Sequence, residues 1–135
     1  MATGFSVKLP LTPDAVDGFY KLNKTFGEVA KQNIKMIVLT APGERMMNPD
    51  FGVGIRNYLF DPLGANGNYE KLSTKITDQV SKYAPYVKIR SVNLIPLNEE
   101  TGIGGMDRNY LGVRINYYIP NLNVSEDLEI KFFND

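Results

Sequence analysis

The spacing of apolar residues changes once along the chain, close to Pro85, and this change limits the possible folds. Before Pro85, apolar residues follow one another at intervals of three or four, as on one face of a helix: Tyr69, Leu72, Ile76, Val80 and Tyr83. After Pro85 the interval becomes two, as in half-buried strands. The sequence therefore predicts helices first and a sheet afterwards.

Three helices are predicted in the first part. Thr25 and Glu28 have the spacing of a capping box, so the first helix should run from about Phe26 to Leu39. Asn48-Pro49-Asp50 offers a capping side chain, a proline for the first turn and an acid, which predicts a second helix over about 49–60. The third helix carries the apolar face described above and ends before Pro85.

Three strands are predicted in the second part. The first begins near Tyr86, and a slip in its alternation at Arg90-Ser91 indicates a bulge. The next alternates without a break over 111–119, and a tight turn joins it to a last strand that ends near Phe133, which implies an antiparallel pair. Leu128, Ile130 and Phe132 should face the core.

The predicted fold class is α+β, with three helices packed on a small antiparallel C-terminal sheet. We expect one domain over 1–135, helical over about 25–84 and sheet over about 86–133. The alternating residues Phe5, Val7, Leu9 and Leu11 indicate an extended N-terminal arm, in which Pro10 lacks a main-chain donor.

Composition excludes several classes of function. The chain has 15 basic and 15 acidic residues and no histidine or cysteine. Zero net charge argues against nucleic acid as the main partner, and no apolar run approaches the roughly 18 residues that span a bilayer. Without histidine or cysteine, the commonest catalytic bases, nucleophiles and metal ligands are missing. We predict no catalytic, cofactor or metal site.

A pair of carboxylates is the one hydrolytic arrangement left open, because glycoside hydrolysis can run on two acids about 5 to 10 Å apart. The candidates are Glu44, Asp50, Asp61, Glu99 and Glu100. Glu44 and Asp50 lie at a turn and a helix start, where a surface ion pair with Arg45 and a helix-dipole contact explain them without catalysis. Glu99 and Glu100 adjoin glycines in a loop without EF-hand spacing.

Three linked motifs between Gln32 and Pro62 carry a resemblance to a known family. A helix ends in Leu-x-Thr and is followed by Pro-Gly-Glu-Arg; then comes Pro-x-Phe-Gly, and the segment closes on Leu-Phe-x-Pro at 59–62. In this order the motifs resemble the baseplate wedge family of contractile injection systems. That family joins the small wedge protein of long contractile phage tails to the matching baseplate subunit of type VI secretion.

The resemblance implies a structural subunit of the virion tail baseplate, assembled in the host cytoplasm, and not an enzyme. Its implied partners are the tail sheath protein, larger wedge subunits, and inner hub or tube proteins, without nucleic acid or membrane insertion. The family has also carried a lysozyme label, which the chemistry above does not support. Many members have Glu-Pro-Arg between the third helix and the first strand, whereas this chain has Ala84-Pro85-Tyr86.

The partner-binding residues follow from the motifs and from the chain end. Glu44 and Arg45 should lie on an exposed connection where a forked guanidinium can reach a partner, and Pro85 matches the family junction. The last strand should offer an edge to a sheath strand, and its residues complete the predicted site: Val124, Leu128, Glu129, Ile130, Lys131 and Phe132. Rival functions are a peptidoglycan-cleaving glycosidase, a type VI secretion baseplate subunit, and an adaptor unrelated to tails.

Overall fold

The change of apolar spacing near Pro85 does mark the boundary between helix and sheet. The computed structural model describes residues 4–58, 68–95 and 112–131. Within these ranges two α-helices and two small antiparallel sheets form a mixed α and β fold. The α+β class is therefore confirmed, while the number of helices and part of the sheet arrangement differ from the prediction.

Helix α1 spans Phe26–Leu39 and begins at the predicted capping box. The Thr25 hydroxyl accepts the Glu28 N–H at 3.3 Å, and the Glu28 carboxylate accepts the Thr25 N–H at 3.3 Å. These two bonds satisfy main-chain donors that a helix start leaves without partners. The face of α1 that enters the core consists of Ala30, Ile34, Ile37 and Val38.

Helix α2 spans Asn68–Tyr83 and confirms the third predicted helix. Leu72, Ile76 and Val80 are fully buried, as their spacing requires. The described part of the chain contains no helix that is long and apolar enough to cross a membrane.

The helix predicted over about 49–60 is wrong in the part that the structure describes. Only a four-residue 3-10 helix forms there, at Ile55–Tyr58; Leu59 and Phe60 lie outside the described residues. Gly52 and Gly54 take φ values of +106° and +67°, which a right-handed helix cannot contain. The local start signals at Asn48-Pro49-Asp50 were real turn signals, but the two glycines turn the chain away from a helix.

This segment instead packs along the end of α1. The Val53 N–H donates to the Ile37 carbonyl at 3.0 Å, and the Gly54 N–H donates to the Thr40 carbonyl at 2.9 Å. A Cβ at position 52 would collide with the Thr40 carbonyl oxygen. Glycine therefore permits the close approach that gives these carbonyl groups their partners.

The C-terminal sheet has the order β3-β4-β5, with strands Lys88–Ile95, Gly112–Ile119 and Val124–Lys131. Both neighbouring pairs are antiparallel, as predicted, and the register slips between Ile89 and Ser91. The extra residue is Arg90, which confirms the predicted bulge. Because of the bulge, Ile89 pairs with Tyr117 and Val92 pairs with Ile115.

One face of this sheet forms the core with the two helices. Its buried residues in β4 alternate with more exposed ones, as a strand requires: Val113, Ile115, Tyr117 and Ile119. The Tyr117 hydroxyl donates to the Glu126 carboxylate at 2.9 Å, which satisfies the polar group of this buried side chain. Burial and the adjacent carboxylate raise the pKa of Tyr117 well above its usual range.

The N-terminal segment forms a sheet of its own. Strand β1, Ser6–Val7, pairs antiparallel with β2, Leu22–Asn23, and Pro13 and Tyr20 form a further bridge. We call residues 4–24 the N-terminal lobe. The predicted extended arm is thus one side of a separate two-stranded sheet.

Candidate partner-binding surfaces

The connection between α1 and the 3-10 helix is held in shape by hydrogen bonds among its own residues. The Gly43 N–H donates to the Pro49 carbonyl at 2.8 Å, and the Ala41 N–H donates to the Glu44 carboxylate at 3.1 Å. Arg45 is exposed, and its Cζ lies 4.0 Å from the centre of the Phe51 ring. A cation over an aromatic face is held without losing its outward hydrogen-bond donors.

Arg45 and the neighbours of Pro85 line a single cleft of about 290 Å³. Tyr83 and Tyr86, which flank the 84–85 pair, form one wall, and Arg45 with Phe51 forms another. The Phe51 and Tyr83 rings meet edge to face, with centroids 4.7 Å apart. The structure therefore brings Arg45 together with Tyr83 and Tyr86, the sequence neighbours of the predicted site position Pro85, and we call this region the Arg45 cleft.

The departure from the family junction has a packing explanation. Ala84 is only 1% exposed, so a glutamate there would place a carboxylate in the core, at high cost without a partner. The Tyr86 hydroxyl accepts a hydrogen bond from Asn33 Nδ2 at 2.8 Å, and its ring lies edge-on against Phe26. Tyr86 therefore packs on α1 and is hydrogen-bonded to it in this chain.

The last strand divides the predicted edge residues into two groups. Leu128 and Ile130 are buried and face the core, as predicted, while Val124 and Glu129 are exposed. Glu129 forms an ion pair with Arg114 on the paired strand, at 3.4 Å. Lys131 pairs with Gly112 through the main chain, and Phe132 lies outside the described residues.

A second cleft, which we call the α1–β5 groove, has a volume of about 810 Å³. Leu128 and Glu129 of β5 contribute to one side, the lobe contributes residues 8–10, and α1 supplies the remaining wall. Leu9, Gln32 and Met36 line both this groove and the Arg45 cleft. The two candidate surfaces thus meet on α1.

Gln32 fixes the lobe at this meeting point. Its Nε2 donates to the Val7 carbonyl at 3.1 Å, while its Oε1 accepts the Leu9 N–H at 3.0 Å and Asn23 Nδ2 at 2.9 Å. The side-chain amide thereby bonds to the lobe main chain as a neighbouring strand would. Sequence reasoning missed this role, because a polar contact across 23 residues leaves no local pattern.

An ion pair also joins two parts of the lobe. Lys24 Nζ lies 2.7 Å from Asp17 Oδ1, and the Leu22 N–H donates to Asp17 Oδ2 at 3.4 Å. The hydrogen bond from Lys24 is the main reason that the pKa of Asp17 is lowered, and the same contact raises the pKa of Lys24. The pair is therefore charged over a wide pH range.

Several apolar side chains that the sequence analysis did not assign are strongly exposed. Val16 and Phe19, in the lobe, are 84% and 90% exposed, and Met46 and Met47 beside Arg45 are 95% and 98% exposed. Their positions outside any periodic segment were the available signal, because apolar residues in turns have no core to enter.

Glu44 and Asp50 are the two candidate acids that lie in the described ranges. The Glu44 carboxylate bonds the main chain of its own turn, and the Asp50 main-chain carbonyl accepts Gln79 Nε2 at 3.2 Å. Asp61, Glu99 and Glu100 lie outside the described residues. In residues 4–58, 68–95 and 112–131 no cluster of three acids has metal-binding geometry.

Comparison with known proteins places the chain in a family. Residues 27–123, well over half of the chain, match the family model described as baseplate wedge protein gp25. Among curated proteins, none matches significantly.

Two solved structures share the fold. A crystal structure from Geobacter sulfurreducens, described as a candidate tail lysozyme, superposes with a TM-score of 0.65 at 24% identity, over 84% of this chain and 96% of that one. A subunit in the cryo-EM structure of the anti-feeding prophage baseplate superposes with a TM-score of 0.61 at 20% identity, over 82% of this chain and 81% of that one. The chain therefore belongs to the baseplate wedge protein gp25 family, a family of structural proteins of phage and phage-like tail baseplates.

Proposed function

We propose that this protein links the inner baseplate to the tail sheath, and that a sheath strand added to β5 starts sheath assembly. It acts as one wedge domain in the virion tail baseplate, after assembly in the host cytoplasm. Its partners are the tail sheath protein, the larger wedge subunits, and hub or tube proteins of the inner baseplate.

The observation that carries this proposal is the position of β5. In the described part of the chain, β5 is the outermost strand of its sheet and pairs on one side with β4. An edge strand presents main-chain donors and acceptors to any extended segment that approaches it. Leu128 and Ile130 anchor this edge in the core, so it is presented on a fixed support.

The Arg45 cleft is the second proposed contact, directed at a larger wedge subunit. The Arg45 guanidinium is exposed above Phe51, and the two strongly exposed methionines follow it directly. Charged donors beside flexible apolar side chains suit a protein interface, where arginine and methionine are enriched. Glu44 directly precedes Arg45 in the chain, and Pro85 lies between the cleft residues Tyr83 and Tyr86 in sequence.

The lysozyme description belongs to the Geobacter protein, and we do not propose that activity for this chain. The Glu44 carboxylate is engaged by the main chain of its own turn, and the whole chain lacks histidine. A muralytic assay of the purified protein separates the two functions, and the structural function requires no activity above buffer. A type VI secretion baseplate subunit is the alternative within the family.

Site-specific crosslinking tests the proposed edge. Because the chain has no cysteine, Ser125→Cys and Asp127→Cys each create a unique thiol on β5 that can carry a benzophenone photocrosslinker. In tails assembled with the labelled protein, we expect both positions to crosslink to the sheath subunit. Lys71→Cys, on the exposed side of α2, is the matched control and should not do so.

Circular dichroism of each labelled variant confirms that the fold is kept before the tails are assembled. Crosslinks from β5 that reach only wedge subunits, or sheath crosslinks that are equally strong from position 71, would refute sheath docking at this edge.

A further inference from the structure

Helix α1 has a second patterned face besides the one in the core. Residues at intervals of three and four line the α1–β5 groove, and so fall on one side of the helix: Glu28, Lys31, Gln32, Lys35, Met36 and Leu39. Gln32 is occupied by the lobe, as described above. The remaining positions offer two lysines, an acid and two apolar side chains to whatever enters the groove.

The acidic side chains of the groove are engaged by other groups, whereas its two lysines have no acidic group close by in the part of the chain that the structure describes. Within the described ranges, Lys31 and Lys35 have no acidic oxygen within 4.0 Å. Glu28 is engaged by the main chain at the start of α1, and Glu129 by Arg114. Lysines one helical turn apart repel each other slightly, so an anion between them would be stabilised.

The floor between these charges is apolar. Met36 is 38% exposed, Leu39 is partly buried, and Leu9 and Pro10 of the lobe close the far side. The volume of about 810 Å³ is sufficient for several side chains of an extended segment. Methionine adapts its shape to such contacts.

The groove adjoins the edge where strand addition is proposed. Helix α1 packs on β5, and Leu128 with Glu129 borders the groove. Side chains of a strand alternate between the two faces of a sheet. Every second side chain of a strand added beside β5 would therefore face α1.

We infer that the α1–β5 groove selects an extended segment of a partner protein in which apolar side chains are flanked by aspartate or glutamate. The apolar side chains lie on Met36 and Leu39, and the carboxylates meet Lys31 and Lys35. This inference rests on the proposed strand addition at β5 and adds the chemistry of the strand that is accepted.

Synthetic peptides of about nine residues, which is within the usual range of strand lengths, test the selection directly. Threonine occupies one face, and the other face reads Glu-Val-Val-Glu or, in the matched peptide, Lys-Val-Val-Lys. Fluorescence anisotropy measures binding of each labelled peptide to the full chain. We expect the acidic peptide to bind at least about fivefold more tightly at low salt, and we expect this difference to shrink in about 0.5 M NaCl.

The double variant Lys31→Glu/Lys35→Glu should reverse the preference to the lysine peptide. Lys71→Glu/Lys82→Glu makes the same change of net charge on α2, away from the groove, and should keep the preference for the acidic peptide. Equal binding of both peptides, no binding up to about 1 mM, or an unchanged preference in Lys31→Glu/Lys35→Glu would overturn the inference.

The crosslinking result separates this inference from the proposed function. Sheath crosslinks from β5 together with no acidic preference would reject the groove chemistry alone. An acidic preference that depends on Lys31 and Lys35, without sheath crosslinks from β5, would support the groove and reject the sheath as the docked partner.

Discussion

The N-terminal lobe and the helix–sheet body are held by opposite kinds of contact. In the body, α1, α2 and β3–β5 contribute buried apolar residues to one core. In the lobe, Val16 and Phe19 are exposed, and polar side chains make the attachments. Hydrophobic burial therefore stabilises the body, whereas directional bonds position the lobe.

The difference means that the body determines whether the chain folds, whereas the contacts of the lobe determine only where the lobe is held. A lobe that depends on a few hydrogen bonds can be disturbed without unfolding the body, because those bonds contribute little to the core. Its exposed apolar side chains also contribute little to folding. Variants in the two regions should consequently differ in size of effect and in how far the effect spreads.

The largest effect is expected for Ile115→Ala, in the centre of the sheet. Ile115 is fully buried, so removing its side chain should lower the free energy of unfolding by about 2 to 5 kcal/mol. Denaturant titration followed by circular dichroism measures this change. Val16→Ala, at a position that is 84% exposed, is the control and should change it by no more than about 0.5 kcal/mol. Equal losses of unfolding free energy in the two variants would contradict the contrast between the body and the lobe.

A smaller, local effect is expected for Gln32→Ala. Loss of its bonds to the lobe should destabilise the attachment by about 1 to 2 kcal/mol, and amide hydrogen exchange at Leu9, whose N–H donates to Gln32, should accelerate. Gln79→Ala is a matched control, because the Gln79 side-chain amide also both accepts from and donates to main chain, at Gly52 and Asp50. It should leave the exchange at Leu9 unchanged. Faster exchange throughout the body in Gln32→Ala would show that the lobe is part of the core.

The smallest effect is expected when the pH is lowered through the pKa of Asp17. Because the folded pKa of Asp17 is lowered, its contribution is present above the unfolded pKa of about 3.9 and is lost as the pH falls through the folded value. We expect the NMR signal of the Leu22 amide, which donates to Asp17, to be constant near neutral pH and to shift below about pH 4. In Asp17→Asn this acid-dependent shift should be absent; its persistence would assign it to another carboxylate.

Features set by neighbouring residues were predictable from sequence. The capping box at Thr25 and the bulge at Arg90 each depend on a few consecutive residues, and both were correct. The alternation around Ile115 gave the buried face of β4, because a half-buried strand repeats every two residues.

Features set by distant contacts were not predictable. Asn48-Pro49-Asp50 reads as a helix start in isolation, but Gly52 and Gly54 take conformations that break a helix, and Val53 and Gly54 bond to the end of α1. The groove was missed for a similar reason, since the spacing of Lys31 and Lys35 does not reveal which element borders that side of α1.

The bulge in β3 makes the two edges of the C-terminal sheet unequal. Within the described sheet, β3 is the edge opposite β5, and the extra residue Arg90 disrupts its regular spacing, with the guanidinium over the Tyr118 ring. Strand β5 pairs with β4 in continuous register from Val124 to Lys131. An irregular edge is a poor template for another strand, whereas a regular edge is a good one. The two edges of the sheet therefore differ as templates. A polymer that begins on this sheet by strand addition would extend from the β5 edge.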